Sequence, residues 1–429
     1  RVAFHRIIDD LDPAHFETLE RLEVIYADRE AWAELFDVYE RMKDASDSEA
    51  AQADLFAKMG TIASECLDDV PKATELWSNV LDIRGEDSLA LDALAELYSR
   101  EENWSDLVDV LERAVTIAED DEARVRIYSQ LGLVWGECLE RDRNALDNWQ
   151  NVLMIDPANL DALRAIAKIH ESNQEWDELI ETLERIIEVG AAEFETETLK
   201  GYYAQLGRLF AETLERPMEA IDAWKHASDV DPSDIAPLNA LEKLYEGQAM
   251  WEEYVETLGK KGELLEGDEQ VETWLSQAAA IEEKLVEPLR AKGPYMRILD
   301  VAPLHAHAFE RVVEILDEEE AWEELIQLYS ARLNYVAEPA DEVALLHKAA
   351  AIYEEKLDQA ENAFTVMQRA FEADYSNDET AAHLERLASV TDKWNELLAS
   401  CNQVLQTVQE KQTQIDLCLK IGKWYADEL

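Results

Sequence analysis

One stretch of this chain returns at a nearly constant interval, and that interval limits the fold more than any other feature. The stretch is Trp176-Asp177-Glu178-Leu179-Ile180-Glu181-Thr182-Leu183-Glu184-Arg185, of the form W-x-x-L. Its copies are headed by Trp32, Trp104, Trp176, Trp251, Trp322 and Trp394, which lie 72, 72, 75, 71 and 72 residues apart. Two other markers keep step. One is an alanine with a large residue four positions later: Ala73/Trp77, Ala145/Trp149, Ala220/Trp224, Ala291/Tyr295 and the weaker Ala363/Met367. The other is a small residue, at Gly60, Gly132, Gly207, Ala278, Ala350 and Gly422. Three markers in phase identify an internal repeat, in which each unit buries its apolar face only by stacking on its neighbours.

A repeat array also answers a problem of size. At 429 residues a single compact globule is too long, and two or three domains would be the default. An array grows by nearest-neighbour contacts and escapes that limit, so one continuous domain over residues 1–429 is expected. Hydrophobic residues make up 47% of the chain, enough for a core, and 13 Gly with 10 Pro are few enough to favour helices.

The net charge of −57 is spread over all the units. It argues against nucleic acid and against anionic membrane surfaces, both of which require a basic face. It suits a basic protein or peptide partner steered by the field, or serves only to keep the chain in solution. Four cysteines without C-x-x-C spacing exclude a disulfide framework and are compatible with a cytoplasmic rather than a secreted chain. Cys66 and Cys138, each six residues after a marker glycine, read as small buried apolar positions. No apolar run is long enough to span a membrane, and no signal peptide is visible. The chain opens at Arg1, with residues 1–12 patterned as the second helix of a pair and 416–429 as the first of one. A segment of a longer protein is the expectation.

Within the unit from Asp121 to Gly190, apolar spacing predicts four helices, over 123–139, 144–155, 160–171 and 176–188. The first buries Val125, Ile127, Tyr128, Leu131, Leu133, Val134 and Trp135, and Gly132 admits close approach of a neighbouring helix. The second buries Ala145, Leu146, Trp149, Val152 and Leu153. Asp156-Pro157-Ala158-Asn159 stops one helix and starts the next. Each unit is then two helix hairpins of about 36 residues. The three extra residues of one unit fall around 188–194, and a one-residue deletion falls around Gly259-Lys260-Lys261-Gly262; both are expected at turns.

The residues of one hairpin type resemble the tetratricopeptide repeat family. Tyr128, Leu131-Gly132 and Trp135, then Tyr203, Leu206-Gly207 and Phe210, match its first-helix pattern. Ala145, Trp149 and Pro157, then Ala220, Trp224 and Pro232, match its second, with Pro13 and Pro303 in the same phase. The W-x-x-L hairpins are looser, with Leu107, Leu179 or Leu325 for the family's alanine and no closing proline. The resemblance implies an all-α fold: a right-handed α-solenoid of about 12 stacked antiparallel hairpins in six double units of about 72 residues. It also implies a concave face lined by first helices that binds peptides or proteins.

Candidate chemistry is sparse. Nine of the twelve tryptophans hold repeat-phased positions and read as core. His305-x-His307 lacks a third ligand, so no metal is expected, and no phosphate-binding, dinucleotide or nucleophile motif is present. An enzyme is not expected, nor any cofactor. The family's carboxylate clamp uses Lys and Asn on first helices. Arg164 with Lys168, and Asn239 with Lys243, are spaced to share such a face, whereas Asp92 with Glu96 and Glu310 with Glu314 hold the equivalent positions elsewhere. These eight residues are the candidate partner-binding set of a non-catalytic scaffold. A structural spacer that self-associates and a peptide-sensing regulatory module are the alternatives.

Overall fold

The computed structural model describes Phe4, Ile7, Ile8, Asp12 and residues 15–427 except 409. The helix expected over residues 1–12, and Pro13, lie outside the residues described as continuous structure. The described residues are all-α, as expected, and divide into two compact units, Arg1–Tyr202 and Tyr203–Leu429. In the first unit the helices run Phe16–Ala27, Trp32–Asp44, Glu49–Thr61, Val70–Arg84, Ser88–Arg100, Trp104–Ile117, Asp121–Leu133, Asp142–Ile155, Leu160–Asn173 and Trp176–Gly190. The division falls within the helix Thr196–Arg208. The second unit continues with Pro217–Val230, Ile235–Gly247, Trp251–Leu264, Gly267–Ala280, Lys292–Val301, Ala306–Glu318, Trp322–Leu333, Pro339–Glu355, Ala360–Ala373, Asp378–Thr391, Trp394–Thr407 and Lys411–Asp427. Inside each unit a helix packs chiefly on its neighbours in sequence, the arrangement of stacked hairpins.

Local chemistry sets the helix ends. Asp69, Asp87, Asp120, Asn159, Asp234 and Asn377 cap N-termini by accepting a backbone N–H two or three residues on. The W-x-x-L helices lack such caps. Each is entered instead from a residue in the left-handed region two positions before the tryptophan: Glu30, Glu102, Gln174, Ala249, Glu320 and Asp392. A second left-handed series, Asp68, Glu140, Glu215, Val286 and Asp358, closes the other hairpin type. None of the eleven is glycine or asparagine, the residues that take this conformation at least cost, so composition did not reveal the turns.

Four first helices end in a single π-helical turn: Ile62–Cys66, Val134–Cys138, Leu209–Thr213 and Ile281–Leu285. The wider turn is closed by bonds such as Leu139 N–H to Val134 O, 3.0 Å. The helix expected over 123–139 is therefore α-helical to Leu133 and π-helical to Cys138. Each turn begins on a buried residue, such as Val134, and ends on an exposed one or, in the fourth, on the half-buried Leu285. Leu133 is 46% exposed, and Cys66 and Cys138 are exposed rather than buried, contrary to expectation. Cys401 alone is buried, which pushes its thiol up to about 12.

The marker residues meet. A Cβ at Gly60, Gly132 or Gly207 would stand 2.7, 2.5 or 2.5 Å from the indole of Trp77, Trp149 or Trp224. Those rings are 8%, 4% and 8% exposed, and burial of each withdraws roughly 150–250 Å² from water. Where the small residue is Ala278 or Ala350, the large one 17 positions later is Tyr295 or Met367, and all four are buried. Of the six W-x-x-L tryptophans only Trp394 is fully buried; the other five are half-buried at the edge of the core. The insertion at 188–194 lies at a turn, where Phe194 folds back against Gly190. The deletion also lies at a turn, but not at the residues expected. Gly259-Lys260-Lys261-Gly262 is inside the helix Trp251–Leu264, and the shortened turn is 265–266, followed by Gly267 at φ +65°. Gly259 and Gly262 instead bring that helix against Gln277 and Trp274.

Candidate functional site

In the first unit three helices leave a groove between them. Ser88–Arg100 supplies Leu91, Asp92, Ala95, Glu96, Ser99 and Arg100. Trp104–Ile117 supplies Trp104, Leu107, Leu111 and Ala114, and the next first helix supplies Arg126, Ile127, Gln130 and Leu133. The recess holds about 590 Å³, within the range of ligand pockets, and continues into a second of about 410 Å³ that shares Asp92, Ala114, Arg126 and Ile127. Its floor is apolar because Leu107, Leu111 and Ala114 of the Trp104–Ile117 helix and the outward-turned Leu133 open onto it. Its rim is charged. Arg100 is held by Asp68 at 2.6 Å, but Asp92, Glu96 and Arg126 enter no ion pair among the described residues.

The other candidates are placed less uniformly. Lys168 is paired with Glu137 of the preceding π turn at 3.0 Å. Arg164 donates to the Tyr202 hydroxyl at 3.2 Å and lies 5.7 Å from the centre of the Phe194 ring. Both cations are thus engaged within the unit. In the second unit Lys243 is exposed and unpaired among the described residues, with half-buried Asn239 one turn before it. Glu314 is paired with Arg311, and Glu310 is exposed with no ion pair among the described residues. Asp92 and Glu96 share one groove; Arg164 and Lys168 share one helix face but not that groove.

Sequence reasoning missed the groove's Arg126 and also Arg386, which holds the repeat phase of Lys168 and Lys243. Arg386 binds Glu354 at 2.6 Å, and His383 reaches the same carboxylate at 3.0 Å. The phase alone would have found Arg386. Among the described residues no group of three metal-ligating side chains occurs, and no helix is long and apolar enough to cross a membrane.

The profile of the tetratricopeptide repeat matches residues 90–125 and 162–193. These segments are W-x-x-L hairpins, the copies whose sequence pattern is looser. No curated protein matches the chain. Among solved structures, YrrB, described as a tetratricopeptide-repeat protein with an unusual peptide-binding site, is 16% identical; the match covers 44% of this chain and 91% of that one, with a TM-score of 0.30. A tetratricopeptide repeat protein from Parabacteroides merdae is 13% identical over 61% of this chain and 97% of its own, with a TM-score of 0.31. A chain of the Naa15/Naa10 complex bound to HypK-THB is 12% identical over 94% of this chain and 65% of its own, with a TM-score of 0.40.

Proposed function

We propose that this chain, whose residues 90–125 and 162–193 match the tetratricopeptide repeat, is a non-catalytic scaffold whose first unit binds a basic, partly apolar peptide segment of a partner protein. The supporting observation is the groove of about 590 Å³, with its open apolar floor and the unpaired carboxylates of Asp92 and Glu96 at its rim. An apolar side chain of the partner fills the floor and a neighbouring Lys or Arg meets the two acids. The field of the −57 chain speeds encounter, and the groove supplies the specific contacts. Arg126 selects against an unbroken run of cations. Arg164 and Lys168, whose charges are met within the unit, contribute less, and a carboxylate clamp at Asn239 and Lys243 would be a separate contact.

A random peptide library panned on the full chain tests this. The expected result is enrichment of peptides with Lys or Arg within a few positions of Leu, Ile, Phe or Met. That enrichment disappears for the doubly substituted Asp92→Lys, Glu96→Lys chain. Enrichment of the same peptides on both chains would overturn the assignment.

A second reading, association between copies, is favoured by the helix Lys411–Asp427, where Ile415 and Leu419 are 53% and 68% exposed. Light scattering over a range of concentration separates it: a constant mass removes this reading and leaves the first intact.

A further inference from the structure

The helix Trp322–Leu333 carries a cation where the other copies carry core. Ten residues after each W-x-x-L tryptophan stand Met42, Ala114, Ile186, Lys261, Arg332 and Val404. The four apolar residues of this series are buried. Lys261 is tolerated because Glu242 meets it at 2.6 Å. One repeat later the acid's position is Val313, and Arg332 has lost its partner. Its guanidinium lies 4.0 Å from the centre of the Phe309 ring, and its Nη1 is sealed from solvent with no hydrogen-bond acceptor. Burial draws its pKa below the usual arginine range, and Asp341 and Glu310 act on it only through space.

Beside it lies a cavity of about 330 Å³ lined by Met296, Leu299, Phe309, Leu328 and the exposed Tyr335. Lys292 at its edge is already bound to Glu319 and Glu324 at 2.8 and 3.0 Å, and Asp300 and Glu324 line the same edge. Of the two lining cations, Arg332 is therefore the one whose charge no carboxylate among the described residues meets directly.

We propose that this cavity binds a carboxylate carried directly on an apolar skeleton, with Arg332 as the carboxylate receptor and the Met296, Leu299 and Leu328 surface as the seat of the apolar group. A guanidinium fork stacked on an aromatic face suits a planar carboxylate. An Asp or Glu side chain within a peptide offers the charge without an adjoining apolar branch. A peptide ending in leucine offers both at one carbon, and so does a free branched carboxylic acid. The site differs from the groove of the first unit in location and in the charge it selects.

Calorimetric titration of the full chain with acetyl-Ala-Ala-Leu tests this, beside the same peptide with an amidated C-terminus and beside 4-methylpentanoate. The expected result is saturable binding of the free peptide, weakened about tenfold or more by amidation, as loss of a charge-assisted bond requires. Tighter binding of the peptide than of 4-methylpentanoate identifies a protein C-terminus as the source; equal binding identifies a free acid. Arg332→Gln should abolish binding. Val313→Glu restores the acid that accompanies Lys261 and should also abolish it with the fold intact, so the test survives if Arg332→Gln fails to fold. Equal affinity for acid and amide, or unchanged binding by the folded Val313→Glu chain, overturns the proposal.

Discussion

Gly132 has room for a hydrogen and for nothing larger, because a methyl group there would stand 2.5 to 2.9 Å from three atoms of the Trp149 ring. Two effects of Gly132→Ala oppose each other. Helix propensity favours alanine by about 1 kcal/mol, while overpacking costs about 1–3 kcal/mol. Overpacking prevails against a nearly immobile indole, so a net loss of about 1 kcal/mol is expected by urea unfolding. Trp149→Tyr alone leaves a gap. The double substitution reproduces the Ala278 and Tyr295 pair of a later copy and should recover stability, with a coupling of about 0.5–3 kcal/mol between the sites. Simple additivity would show that the two side chains do not share the space. This pairing was legible beforehand, because the sizes of two residues at a fixed spacing are written in the sequence. The exposure of Cys66 and Cys138 was not, because each ends a π turn that no residue type announces. Native-state thiol labelling should accordingly modify Cys66, Cys138 and Cys418 and spare Cys401, whose burial suppresses its thiolate.

Neighbouring first helices are tied by ions that reach from one to the turn of the one before. The link between Pro339–Glu355 and Asp378–Thr391 is the most elaborate. The Arg386 guanidinium, opposed by partial burial and aided by His383, holds the Glu354 carboxyl at about 2, below its ordinary 4.5. A carboxyl depressed in the folded state stabilises fully above its unfolded value and loses that contribution as pH falls through the folded one. The stability difference between the wild type and Glu354→Gln should therefore be largest near neutrality and shrink between about pH 4.5 and pH 2. A difference that does not change with pH would mean that the ion pair adds nothing. Helix positions were readable from apolar spacing to within a few residues. The turns were harder: the eleven left-handed residues are mostly acidic and look like any other surface position in this chain.

At the scale of the chain, 96 acidic residues made every carboxylate look alike in sequence, and no spacing rule could say which ones lack a partner. Packing supplies that distinction. It neutralises Lys168 and Arg164 within the first unit and leaves Asp92 and Glu96 open over an apolar floor. The same reasoning separates Lys261, which has its acid, from Arg332, which does not. A nearest-neighbour array also keeps effects local, since binding in one groove orders only the helices that form it. Hydrogen exchange on the full chain, with and without a peptide enriched on the wild type, is the most direct measurement. Slowed exchange confined to Ser88–Arg100, Trp104–Ile117 and Asp121–Leu133 is the expected result. Protection centred on other helices, or none at a saturating concentration, would contradict the assignment of the groove as the partner's site.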